Sequence, residues 1–252
     1  MKTAAHPGGH HIIAFEPTRH QYLDAETGRA DYASVTSFIK SGFPEFDSAT
    51  AAVNVARRTG TTPAAVLEAW KAKGSHACAL GTRVHAMAES VLLGEPIDVV
   101  PESDRERALM ASAWNACQAI TEHHDVIACE LIVFSPRYKL AGQIDGALRD
   151  RRDGTIRVID WKTNKNLLKG PYNGSTALHP ISHLPDTQIS RYELQLSTYE
   201  AILRDEGYIK PGERVERHLI HLREDGWGMI DIPYRRHEFA ELILKRITDV
   251  PF

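Results

Sequence analysis

Two apolar runs of strand length, residues 141–148 and 156–162, flank the polar turn Arg151-Arg152-Asp153-Gly154. An Asp-Gly pair between such runs signals a hairpin, because glycine supplies the positive φ of a tight turn. With those four residues as the loop, Asp150 faces Thr155. The same register sets Asp145 opposite Asp160, as cross-strand neighbours with Cβ atoms about 5 Å apart. Lys162 lies two residues past Asp160 and points to the same face. Gly142, Ile144, Val158, Ile159 and Trp161 make both hairpin faces apolar. Two acids opposed in that setting repel and lose hydration unless a cation sits between them. The hairpin therefore predicts a divalent-metal site beside an ammonium, equipment suited to hydrolysing a phosphodiester.

Composition narrows the classes. A chain of 252 residues with 42% apolar and 25% charged residues buries a core as one large domain or two small ones. No apolar run nears the roughly 18 residues of a membrane span. Residues 1–10 lack an apolar segment behind Lys2, which argues against a signal peptide and for a cytoplasmic protein. Cys78, Cys117 and Cys129 are scattered and odd in number, which argues against a disulfide framework and a four-cysteine metal site. The net charge of −3 neither advertises nor excludes nucleic acid, since phosphate affinity depends on local patches.

Along the chain, residues 11–24 read as a short hairpin. A helix capped by Thr36 or Ser37 starts near Val35, and Pro44 ends it. Residues 47–58 look helical and stop at Gly60. Thr62-Pro63 opens another helix. A longer one covers about 76–93 and stops at Gly94, with Leu80, Val84, Ala88 and Val91 at helical spacing. Residues 103–124 form a further amphipathic helix. Strands follow at 126–134, 139–149 and 155–162. A long irregular segment from Asn164 to about Ser190 is functional or flexible by its length. A helix at about 191–206, strands at 214–222 and 227–232, and a helix at about 236–247 complete the order. This reads as an α/β catalytic core from residue 76 onward, residues 76–252, with a hairpin and helical elaboration over residues 1–75.

Further residues join the hairpin chemically. Gly81, His85 and Glu89 are four apart and share one helix line. Neutral imidazole suits manganese, and magnesium where carboxylates dominate, while Gly81 lets a substrate backbone come close. A lone histidine on a helix flank is more often structural. Asp145, Asp160, the Trp161 carbonyl and water make an oxygen set suited to Mg²⁺. Lys162 is placed to orient the attacking water, with the option of taking its proton, and to screen phosphate charge. Arg191, Gln195 and Tyr199 are spaced one turn apart, so all three can face the sheet. Gln195 can hydrogen-bond Lys162 or the water, and Tyr199 can touch a phosphate or stack on a base.

The ordered set Gly81-x-x-x-His85, Asp145, Asp160-x-Lys162 and Gln195-x-x-x-Tyr199 resembles the PD-(D/E)xK nuclease superfamily in its RecB-type exonuclease branch. Segments 32–47, 160–165 and 183–199 look like the phage and mitochondrial-genome-maintenance exonucleases of that branch. The resemblance covers most of residues 20–205. It implies a restriction-endonuclease-like αβββαβ core, with a mixed central sheet flanked by helices, and Mg²⁺- or Mn²⁺-dependent phosphodiester hydrolysis. By position it makes His85, Asp145 and Asp160 metal ligands, Lys162 the catalytic lysine, and Gln195 and Tyr199 supporting residues. Glu89 matches an acidic position of less certain role. Glu130 is a candidate further site residue, with a structural role preferred. The three cysteines cannot supply the four of the iron–sulphur members, so no iron–sulphur cluster is expected.

The expectation is a DNA exonuclease acting on single strands or duplex ends in phage-type replication, recombination or repair, with phage or host recombination proteins as candidate partners. A structure-specific or restriction-type endonuclease is the rival enzyme. A catalytically silent nucleic-acid- or protein-binding module is the rival from another class.

Overall fold

The computed structural model describes residues 2–249. Its core is a mixed six-stranded sheet. Three antiparallel strands come first, β5 (His124–Ser135), β6 (Leu140–Asp150) and β7 (Ile156–Lys162). Helix α5 (Gln188–Asp205) then crosses over to β8 (Val215–Arg223), parallel to β7, and β9 (Gly226–Asp231) returns antiparallel. A parallel neighbour requires such a long crossover, whereas the β6–β7 hairpin needs only a turn. The expected hairpin register holds at each paired position from Arg149↔Ile156 to Gly146↔Ile159.

The two faces of the sheet carry separate cores. Helices α1 (Val35–Lys40), α5 and α6 (Arg236–Asp249) cover one face through Phe38, Leu194, Ile202, Phe239 and Leu242. Helices α3 (Pro63–Leu93) and α4 (Asp104–His123) cover the other, with Leu80, Val84, Leu109 and Ile120 around Trp161. This is the mixed sheet flanked by helices that the sequence predicts.

The N-terminal third departs from the reading in several places. Ser34, not Thr36 or Ser37, caps α1, accepting from the Ser37 N–H at 3.0 Å. Ala33 and Ser34 form a two-residue strand, β4, parallel to Leu140 and Ala141 of β6. A strand of two residues has no alternation to read. Strands β2 (Ile12–Glu16) and β3 (Gln21–Asp24) make the expected hairpin, joined by β1 (Lys2–Ala5) into a separate three-stranded sheet. Helix α2 (Ser48–Thr59) is capped by Asp47 and ends on left-handed Gly60. The two helices expected around residue 75 are one helix of 31 residues, so the expected domain boundary falls inside α3. Gly74 and Gly81 each weaken a helix by about 1 kcal/mol relative to alanine, which continuing hydrogen bonding outweighs here.

The segment between β7 and α5 is irregular but packed. Leu167, Ala177, Ile181 and Leu184 are buried in the α5–α6 core, and the Leu178 N–H donates to the Gly42 carbonyl at 2.8 Å. Of the two readings its length allows, functional or flexible, these contacts weigh against a flexible segment. No helix among the described residues is long and apolar enough to cross a membrane.

Candidate active site

The site opens where β6 changes neighbours. On one edge β6 pairs with β7 up to Gly146 and with β4 at Leu140 and Ala141. Asp145 lies in the fork between them. Its Oδ2 accepts the Trp161 N–H at 2.9 Å, so a carboxylate rather than a carbonyl serves that amide. The paired ladder thus stops one step short of the expected Asp145–Asp160 pair. On its other edge β6 pairs with β5, through Cys129↔Gly146 and Leu131↔Ile144. Glu130 sits between those two pairs, level with Asp145. Three neighbouring strands therefore each place one carboxylate in a row: Glu130, Asp145 and Asp160.

Helix α3 adds His85, whose Nδ1 lies 3.3 Å from Asp145 Oδ2. Glu89, one turn on, lines the same cavity of about 630 Å³ as His85, Glu130, Asp145, Asp160, Lys162, Gln195 and Tyr199. Lys162 forms an ion pair with Asp160 and stands over the Tyr192 ring, 4.4 Å from its centre. Gln195 Nε2 reaches both Asp160 Oδ1 and the Tyr199 hydroxyl at 3.4 Å.

Electrostatics follow from this crowding. Burial first, then Asp145 and Glu89, pushes the Glu130 carboxyl up to about 7. Burial also raises the Asp160 carboxyl; Lys162 opposes that and Asp145 adds to it. Burial works against the Lys162 ammonium, but Asp160 and Asp145 outweigh it and hold its proton above the ordinary lysine range. The ammonium form of Lys162 is thereby favoured in the metal-free protein.

The donor set fits a divalent cation. His85, Glu130 and Asp145 each offer a ligand atom within 4.8 Å of the others. Their mix of carboxylate oxygen and imidazole nitrogen suits magnesium or manganese. The raised Glu130 carboxyl marks burial first and repulsion by Asp145 and Glu89 second, both of which a cation offsets. Glu130 also holds a left-handed backbone, φ 49°, inside a strand. For a residue with a side chain this is strained and tends to mark function. The structural role preferred for Glu130 gives way to a place among the candidate ligands.

A model of the PD-(D/E)XK nuclease superfamily matches residues 63–249. The chain belongs to that superfamily. It is a nuclease by family, its substrate class is nucleic acid, and such nucleases use divalent metals. Comparison with curated proteins gave no match.

Three expected roles move in this nuclease. Tyr199 is 3% exposed and belongs to the α5–α6 core, so its ring has no free face for a base. Its hydroxyl instead anchors Gln195. Arg191 points elsewhere, bound to Asp186 at 2.5 Å and stacked 4.1 Å from the centre of the Phe43 ring. Gly81 is not among the cavity-lining residues, and a Cβ there would meet only Thr163 Oγ1 at 3.9 Å, an ordinary contact. Trp161 buries its indole under α3 and α4 and reaches the site through its backbone N–H. Tyr192 was missed by the sequence reading. Its signal was the i, i+3 spacing to Gln195, which puts both on one helix face.

Gly142 is the second missed residue. A Cβ there would lie 2.5 Å from Tyr199 Cε1 and 3.1 Å from its hydroxyl. Gly142→Ala is therefore expected to destabilise the protein by about 1–3 kcal/mol, the usual scale of overpacking. By displacing the anchor of Gln195 it also lowers turnover. Denaturant unfolding and steady-state cleavage measured together check both effects.

Proposed function

We propose that this nuclease is a DNA exonuclease of the RecB-type branch, acting on single strands or duplex ends in phage-type replication, recombination or repair. Phage or host recombination proteins are its natural partners. The observation that carries the proposal is the convergence of His85, Asp145, Asp160, Lys162 and Gln195 on the floor of one cleft. Residues of α3 and of the β2–β3 turn both line the cleft. A cleft lined by two elements outside the sheet suits a strand end better than an uninterrupted duplex.

His85, Glu130, Asp145 and Asp160, with the Trp161 carbonyl, are the proposed holders of Mg²⁺ or Mn²⁺, which supplies Lewis acidity and a nucleophilic water at neutral pH. The chain's own groups do the rest. Water adds to phosphorus and gives up a proton to solvent, the bond to the leaving sugar oxygen breaks, and that oxygen takes up a proton from solvent. The Lys162 ammonium stabilises the charge growing on the phosphate oxygens. Asp160 fixes Lys162, Gln195 fixes Asp160, and Tyr199 fixes Gln195, so the donor is aimed before substrate arrives. The Trp161 N–H and His85 together orient Asp145.

The test uses 5′- and 3′-labelled linear single-stranded and duplex DNA beside circular single-stranded DNA, with Mg²⁺, Mn²⁺ or EDTA. Linear DNA is expected to shorten from one end with either metal, while circles survive and EDTA stops the reaction. Nicked circles would replace the exonuclease with an endonuclease.

A further inference from the structure

The family match begins at the first residue of α3, yet one wall of the cleft comes from residues before it. Phe15, Pro17, His20 and Tyr22, from β2, β3 and their turn, line the same cavity as Asp145, Asp160 and Lys162. We propose that this wall is a binding site for an unpaired base of the DNA end, with the base stacked on the His20 imidazole. The proposal rests on the nuclease reading above, because it takes DNA to be what enters the cleft.

The wall is firmly attached. Ile13, Phe15 and Tyr22 pack with Ile132 and Phe134 of β5 and Ala141 of β6. The turn is built as well as attached. Glu16 accepts from the Thr18 N–H at 3.0 Å and from the Arg19 N–H at 2.7 Å. At its end His20 takes a left-handed backbone, φ 51°. Its ring stands edge-on to Phe15 at 5.1 Å and 6.3 Å from Tyr22.

Beyond those two aromatic contacts the imidazole has no partner among the described residues. It is exposed, and its side chain makes no hydrogen bond or ion pair among the described residues. What it offers is a supported aromatic ring beside a hydrolytic centre. Cys78, Thr82 and Ala86 of α3, which also line the cavity, provide no such surface. The cavity, about 630 Å³, falls in the range of about 300–1,000 Å³ typical of pockets for one small ligand. That is room for a nucleotide of an unpaired strand end. The floor carries four carboxylates, Glu89, Glu130, Asp145 and Asp160, so a neutral contact on the wall adds affinity where phosphates gain little without metal.

His20→Gly is the decisive variant, because glycine adopts the left-handed backbone without strain. Binding is measured in EDTA, without turnover, to a fluorescent single-stranded oligonucleotide and to the same oligonucleotide with abasic residues at both ends. His20→Gly is expected to weaken binding of the ordinary strand about tenfold, the scale of one stacked base. Binding of the abasic strand should be equal for both proteins, and His20→Trp should recover the ordinary strand. Equal weakening for both strands, or none for either, overturns the proposal. Neither result depends on cleavage, so it stands apart from the circle assay that tests the exonuclease reading.

Discussion

Lys162→Met is expected to lower the cleavage rate by about 10³-fold or more while the protein still folds. Removing one preorganised donor to a developing oxyanion typically costs 10²–10³-fold, and Lys162 also holds Asp160 in place. Stability and activity can be separated at this pair. Lys162 and Asp160 are both largely buried, at 14% and 5% side-chain exposure. Losing one partner strands the other charge, so Lys162→Met alone should destabilise the protein, by several kcal/mol where no water reaches the site. The double variant Asp160→Asn with Lys162→Met removes both charges and should regain most of that loss. It should remain inactive. Single-turnover cleavage and denaturant unfolding of the two variants beside the wild type give the comparison. A double variant that is stable and also active would sink the assigned chemistry.

The same pair shows why the sequence was readable at this point. Alternating apolar residues, a four-residue polar loop and an Asp-Gly turn leave few registers for β6 and β7, and the structure keeps the expected one. Alternation then puts Lys162 beside Asp160 without further assumption. The row's third acid was less visible. Strand periodicity cannot report that Glu130 adopts φ 49°, so its neighbours Cys129 and Leu131 suggested only a packed strand. Helical spacing likewise grouped Arg191, Gln195 and Tyr199, but not what each meets. Asp186 and Phe43 claim Arg191, and the close approach allowed by Gly142 draws Tyr199 into the core. Those outcomes depend on residues distant in sequence. Elements without internal pattern, β1 and the two residues of β4, were invisible for the same reason: their partners define them.

Glu130→Gln should reduce Mn²⁺ affinity at least tenfold by calorimetry, since replacing even residues that only orient ligands commonly weakens metal sites 10–100-fold. It should also change how the metal-free protein responds to pH, in a direction fixed by linkage. A glutamate carboxyl in the unfolded chain ionises near 4.5, whereas Glu130 in the fold stays protonated up to about 7. Between those values the unfolded chain binds fewer protons, so stability falls as pH rises. In EDTA the wild-type Tm should therefore drop between pH 5 and pH 8, by several degrees for a protein of this size. The amide of Glu130→Gln does not titrate, so its slope over that interval should be shallower. Saturating Mn²⁺ should raise the wild-type Tm more at pH 8 than at pH 5, because cation and proton compete for the same oxygens. The conservative variant keeps the side-chain volume and the strained backbone, which confines the comparison to charge. Unchanged Mn²⁺ affinity together with an unchanged slope would return Glu130 to a structural role and leave the cation to His85, Asp145, Asp160 and the Trp161 carbonyl.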